Sequence, residues 1–307
     1  MDILNHEQVK DFIECQLSCW DLAKQNYDAL IDVRRRFVEV DDMMVGIQWN
    51  PRRAKSTGAK VDKESIEKRE CFLCRANRPK EQLIYPILPG WEMLVNPYPI
   101  FPVHLTIAAS GHRPQDAVPD DIVRLAVSLP GMTVFFNGAH AGASAPDHMH
   151  LQAVLKDEIP LIKLVEKYHP VNEPGLKFPR DFGIRLPFFF ISGVIAADNS
   201  GIPVLAAGLK SGGKACDGTL SDPTLVNVFF WLSEEGVLRF ISIPRQAHRP
   251  SCFFAEGRDN RMVSPGCVDM GGLLIVPREE DFNNLTSSEI SGIYSEVAVS
   301  NDITGVC

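Results

Sequence analysis

The sequence predicts an α+β fold in which helices flank an extended, mostly antiparallel sheet, and three observations carry that prediction. Near the N-terminus, apolar residues recur at helical spacing: Ile3, Val9, Phe12, Ile13, Leu17, Trp20, Leu22 and Leu30. Between residues 83 and 167, short β-rich runs are separated by Pro- and Gly-marked turns and closed by a helix. The same order of strands followed by a helix starts again near Phe188. At 307 residues the chain suits one large domain or two modest ones, with ample core either way.

Taken in order, the periodicity predicts helix over residues 2–32, and Val38–Gln48, rich in Val, Met and Ile, predicts one strand. Residues 50–70 are polar and basic, which fits a loop with a short helix near Lys63–Arg69. Leu83–Leu88, Trp91–Val95 and His104–Ala108 predict strands, and Asp120–Ser128 predicts a helix starting near Asp120 or Asp121. Strands at Met132–Asn137 and His148–Leu155 and a helix at Leu161–Lys167 complete this unit. The proline-rich stretch Tyr168–Pro187 marks a seam. Beyond it, Phe188–Ala196, Val226–Leu232, Leu238–Ile243 and Leu273–Val276 predict strands, and Ser287–Ala298 a final helix. Two halves sharing one antiparallel sheet fit this order better than separate beads.

Composition excludes some classes of function. A hydrophobic fraction of 45% with 23% charged residues is ordinary for a soluble globular chain. The net charge of −8 argues against coating a nucleic-acid polymer, which calls for a basic surface. It leaves room for a small anion held by a local basic cluster. No basic start with an apolar run opens the chain, and no segment reaches about 18 uninterrupted apolar residues, so neither a signal peptide nor a membrane span is expected. Eight cysteines, scattered apart from one tight pair, suit a reducing cytoplasmic setting.

The densest information lies in residues 137–152, Asn-Gly-Ala-His-Ala-Gly-Ala-Ser-Ala-Pro-Asp-His-Met-His-Leu-Gln. His148, His150 and Gln152 alternate, so an extended strand sends all three from one face while Met149, Leu151 and Ala153 face the core. The small residues before them, Gly142 and Ser144 among them, let backbone N–H groups approach an anion. Two imidazoles and an amide beside an anion cradle suit chemistry on phosphorus, because an imidazole nitrogen can attack a phosphate and carry the transferred group.

That stretch resembles the histidine-triad superfamily, in the branch that ends His-x-His-x-Gln. The branch holds hexose-1-phosphate uridylyltransferases, diadenosine tetraphosphate phosphorylases and GDP-hexose phosphorylases. A third histidine would mark the hydrolase branch, and Gln152 stands there instead. The resemblance implies His150 as nucleophile, Gln152 as the group holding a phosphoryl oxygen, and two fused triad-like repeats. Residues 45–170 would form the catalytic repeat and 171–307 a degenerate second one, after an N-terminal helical segment over 1–44.

Cys71-Phe-Leu-Cys74 has the spacing of two thiolates on a tetrahedral metal, and His104, His112 and His148 are candidates to complete it. Uridylyltransferase relatives imply Cys71, Cys74, His112 and His148, holding zinc or iron in a structural role, although some relatives lack the metal. Asn96-Pro-Tyr-Pro-Ile-Phe-Pro-Val-His104 resembles the family's nucleoside-docking strand pair, with Asn96 a candidate for ribose and His104 for phosphate or for a structural bond. In the basic run 49–60, Arg53, Lys55 and Lys60 are phosphate candidates, since guanidinium forks and ammonium charges match phosphate oxygens. Arg245 and Arg249, just past a strand, are candidates for an acceptor phosphate, and Asn137 and Ser144 for positioning the phosphates.

Together these readings predict a phosphorylase-type nucleotidyltransferase that cleaves an NDP-hexose at the α-phosphate, with phosphate or a phosphate ester as acceptor. A dinucleoside polyphosphate phosphorylase of the Ap4A type is the alternative within the class. Outside it stand a non-catalytic nucleotide-binding module and a zinc-organised interaction protein. No organic cofactor is expected. Many relatives are dimers, so a homodimer is carried over as a family habit. Met149 and Leu151 depart from the Pro and Gly of the uridylyltransferase motif, which weighs against UDP-hexoses.

Overall fold

The computed structural model describes residues 3–169, 175–177, 179–183, 185–195 and 222–300. Its N-terminal segment is broken where one long helix was predicted. Helices span His6–Cys19 and Asp21–Asp28, and Trp20 between them is extended (φ −132°, ψ 95°) with its side chain buried. Asn5 and Gln8 form a reciprocal capping box at the first helix, which pins its start.

The single strand expected at Val38–Gln48 is a hairpin. Strands β1 (Arg34–Val40) and β2 (Met43–Trp49) turn at Asp41, which adopts φ 52°. The first 44 residues are therefore not wholly helical. Strand β12 (Leu273–Val276) pairs in parallel with β2, and this small sheet joins the two ends of the chain.

Among the described residues, the large sheet has nine strands, all antiparallel. In chain order these are β3 (Tyr85–Leu88), β4 (Trp91–Val95), β5 (His104–Ala109), β6 (Met132–Asn137), β7 (His150–Leu155), β8 (Leu176–Lys177), β9 (Ile191–Ile195), β10 (Val226–Leu232) and β11 (Leu238–Pro244). Their spatial order is β3-β4-β5-β7-β6-β10-β11-β9-β8. The halves meet where β6 pairs with β10, with Asn137 opposite Asn227. The predicted end of the β9 segment, Ala196, and part of the Tyr168–Pro187 seam lie outside the described residues.

Period-two alternation sends side chains to two cores. Phe135, Phe229 and Trp231 face the small sheet and the helix Ser287–Val297. Val134, Phe136, Val228 and Phe230 face the helix Ile122–Ser128 and the N-terminal helices. No helix among the described residues is long and apolar enough to cross a membrane.

Candidate active site

A row of side chains in register across four strands, Leu94, Thr106, Gln152 and Phe135, lines a cavity of about 770 Å³. His150, two residues along β7 from Gln152, joins them. Met149, Leu151 and Ala153 are buried on the opposite face, as the alternation requires. His148 departs from the expected common face: it precedes β7, is fully buried, and turns its ring towards the cysteine pair.

The His150 ring is held in one tautomer. Its Nδ1 lies 2.8 Å from the carbonyl oxygen of His148, which only accepts, so Nδ1 carries the proton. Nε2 then keeps the lone pair and has no hydrogen-bond partner among the described residues. Burial above all, opposed by the His148 carbonyl, depresses the His150 pKa from 6.5 to about 4, which keeps the ring neutral.

Sequence reasoning missed Gln115, which fixes the backbone here. The β6–β7 ladder stops at Phe135–Gln152, and the fully buried Gln115 amide fills the next position. Its Oε1 accepts from the His150 N–H at 2.7 Å, and its Nε2 donates to the carbonyls of His150 and Asn137 at 2.8 and 2.9 Å. A loop glutamine has no periodic signal, so nothing local marked it.

Of the two roles open to His104 in the sequence, phosphate contact or structural bond, its bonds fit the second. It is fully buried; its Nδ1 accepts from the Ile100 N–H at 3.1 Å, so Nε2 carries the proton and donates to Gln152 Oε1 at 2.8 Å. Burial first, then the charge of Arg53, depresses its pKa to about 3. With Oε1 so engaged, the Gln152 amide NH2 is the end left to serve as donor. Asn96 lines the cavity, yet its Nδ2 donates to Thr106 Oγ1 at 3.1 Å and its Oδ1 accepts from the Tyr98 N–H at 3.0 Å.

Cys71, Cys74, His112 and His148 converge, with their ligand atoms all within 4.8 Å of one another. Cys71 Sγ to His148 Nδ1 is 3.3 Å, Cys74 Sγ to His112 Nδ1 is 3.2 Å, and Cys74 Sγ to His148 Nδ1 is 3.6 Å. A tetrahedral ion with metal–sulfur and metal–nitrogen bonds of about 2.3 and 2.0 Å separates sulfur from nitrogen by about 3.5 Å, so the donor set fits a metal ion. The His148 Nε2–H donates to the Ala109 carbonyl at 2.9 Å, leaving Nδ1 as the ligand. His112 arrives because the Met149 N–H donates to the Arg113 carbonyl. The turn Cys71–Cys74 is buttressed by the buried Arg78, which bonds the Leu73 carbonyl and pairs with Glu92 at 2.6 Å. His104, the third histidine candidate, is not among these four.

Arg53, Lys55 and Lys60 line the cavity, as do Asn137, Gly142, Ser144 and Arg249. Arg53 gives Nη1 to the Tyr98 carbonyl, while its buried Nε has no partner. Lys55 lies 5.6 Å over the Tyr98 ring. Asn137 Oδ1 accepts from Asn227 Nδ2 and from the Cys267 N–H, so that oxygen is structural. Gly142 has φ 93°, and a Cβ there would stand 2.5 Å from Gly266 Cα, so the close approach demands glycine. Arg245 is corrected from ligand to strut. It is 3% exposed, lies outside the cavity wall, and donates to Asn227 Oδ1 and the carbonyls of Val297, Pro265, Ala247 and His248. Asp269, unremarked in the sequence, lines the cavity; burial raises its pKa to about 6, opposed by the Ile275 and Gly266 N–H groups and Arg53.

Three crystal structures of yeast Ap4A phosphorylase Apa2 share this architecture. The complex with Ap4A is 16% identical, with 97% of this chain and 99% of that one covered at a TM-score of 0.61. The enzyme alone gives 14% identity, 91% and 97% coverage and 0.58, and the AMP complex 15%, 94%, 98% and 0.57. The fold is histidine-triad-like. It spans both halves of this chain, in keeping with the continuous sheet across β6 and β10. Residues 12–155, which include the cysteine pair and the His150 strand, match a family described as a domain of unknown function, DUF4922. No curated protein matches the sequence.

Proposed function

We propose that this chain is a phosphorylase-type nucleotidyltransferase acting on a dinucleoside polyphosphate through a nucleotidyl-His150 intermediate. The single observation that carries the reading is the His150 ring: neutral, proton on Nδ1, its Nε2 lone pair free on a residue lining the cavity. Nε2 attacks the α-phosphorus and expels the remaining nucleoside polyphosphate; an incoming phosphate then takes the nucleotide from the histidine. The Gln152 amide donates to a non-bridging oxygen, and the Gly142–Ser144 loop receives the charge that develops there.

Charge supports a polyphosphate substrate. The cavity is lined by Arg53, Lys55, Lys60, Arg69 and Arg249 against one carboxylate, Asp269, in a chain of net charge −8. Arg69 is paired with Asp147 outside the wall, which leaves four cations for the ligand. Four phosphates use that surplus better than the two of an NDP-hexose. The Ap4A held by the yeast neighbour points the same way. An NDP-hexose phosphorylase remains the second reading, favoured by residues 243–250 and 264–281, which together resemble the GDP-hexose phosphorylase tail.

Within this reading, 45–170 is the catalytic repeat and 171–307 the degenerate one. Zinc or iron on Cys71, Cys74, His112 and His148 would lock the backbone around His148, whose carbonyl orients the nucleophile. Turnover of diadenosine tetraphosphate, GDP-hexose and UDP-hexose with inorganic phosphate tests the assignment. Preference for the dinucleotide by kcat/KM is expected, and preference for an NDP-hexose would transfer the assignment to the second reading.

A further inference from the structure

One end of the cavity is built by both halves of the chain. The Gly142 backbone packs on Pro265 and Gly266. Arg245 ties that segment to β11 through the Pro265 carbonyl, and Arg249 reaches it through Ser264 Oγ at 2.9 Å. Three polar groups on the cavity wall are left over. The His248 ring and the Ser144 hydroxyl have no hydrogen-bond partner among the described residues, and both residues are half-buried. Arg249 spends Nε on Ser264 and Nη2 on the Thr57 and Ala59 carbonyls, while its Nη1 has no acceptor among the described residues.

We propose that His248, Ser144 and Arg249 Nη1 form the seat of the inorganic phosphate that releases the nucleotide from His150, an assignment that rests on the covalent reading above. The seat has donors and positive charge, and among the described residues no carboxylate bonds any of the three groups. Burial first, then Arg249, Arg245 and His140, lowers the His248 pKa to about 3, so the ring is neutral beside two guanidinium groups. A seated phosphate oxygen attacks the α-phosphorus. The new P–O bond forms as the P–N bond to His150 Nε2 breaks, and the bonding pair returns to Nε2. Nδ1 keeps its proton throughout, and the product is a nucleoside diphosphate whose terminal phosphoryl group is the former phosphate.

The test isolates the nucleotidyl-enzyme of the full chain and chases it with inorganic phosphate. His248→Ala should still form the intermediate but need about tenfold or more phosphate for half-maximal release, the scale of a lost bond to a charged ligand. His248→Asn, which restores a donor, should recover part of that loss and guards against simple misfolding. An unchanged phosphate dependence in both variants overturns the seat. If the wild-type chain forms no intermediate, the covalent reading fails, and titration calorimetry with inorganic phosphate then decides the seat alone. Binding weakened in His248→Ala upholds it; equal binding by wild type and variant overturns it.

Discussion

At His104 two hydrogen bonds fix one tautomer and, through it, the amide orientation of Gln152. Removing the ring strands the Ile100 N–H and frees the amide to flip. His104→Ala should therefore lower kcat far more than it raises KM, and cost about 1–3 kcal/mol of stability for the buried group left unpaired. The same ring predicts a pH dependence. Its folded pKa is depressed to about 3 against 6.5 when unfolded, so the unfolded chain binds the proton first. The stability contributed by the neutral ring is complete above pH 6.5 and lost as pH falls towards 3. Denaturation curves should show a midpoint falling over that window, with a shallower slope in His104→Asn. The slope should not vanish, because His248 is depressed in the same direction.

Among the elements, the cysteine turn, β7 and the 112–113 loop depend on one another. None of the four candidate metal-holding residues lines the cavity, yet His148 supplies the carbonyl that orients His150. Cys74→Ser is expected to lose bound metal, read by elemental analysis, and to lower the thermal midpoint. Turnover should fall by at least the 10- to 100-fold, roughly, that follows disturbance of a metal's outer partners. Wild-type turnover by a chain stripped of metal would detach the two sites. Arg245→Met, by contrast, should destabilise by about 3 kcal/mol or more through unpaired buried acceptors, read by chemical denaturation.

The same scale shows what the sequence could disclose. Strands β4, β5, β6 and β7 were legible because apolar runs bounded by Pro and Gly are local signals. The His150–Gln152 face was legible because alternation is local too. The β1–β2 hairpin was not, since it turns on Asp41 and Asp42 with no Gly or Pro. Trp20 reads as one more apolar residue in a helical stripe, and only its burial between two helices explains the break. The roles of Gln115, His104 and Arg245 depend on partners such as Asn137, Gln152 and Val297, 22 to 52 positions away, which no local window of sequence brings together.

For the whole molecule, a chain of net charge −8 concentrates cations around one cavity. That contrast predicts a salt effect. Between about 0.05 and about 0.5 M salt, screening shortens to a few ångströms. KM for a dinucleoside tetraphosphate should rise more steeply than KM for an NDP-hexose, because more phosphate charges are engaged. Equal slopes would argue that the cavity holds only a diphosphate.

The central measurement is mass spectrometry of the chain after brief exposure to diadenosine tetraphosphate without phosphate. The account predicts one acid-labile nucleoside monophosphate on His150, discharged by added phosphate and absent from His150→Ala. Label on another residue, or undiminished turnover by His150→Ala, would contradict it.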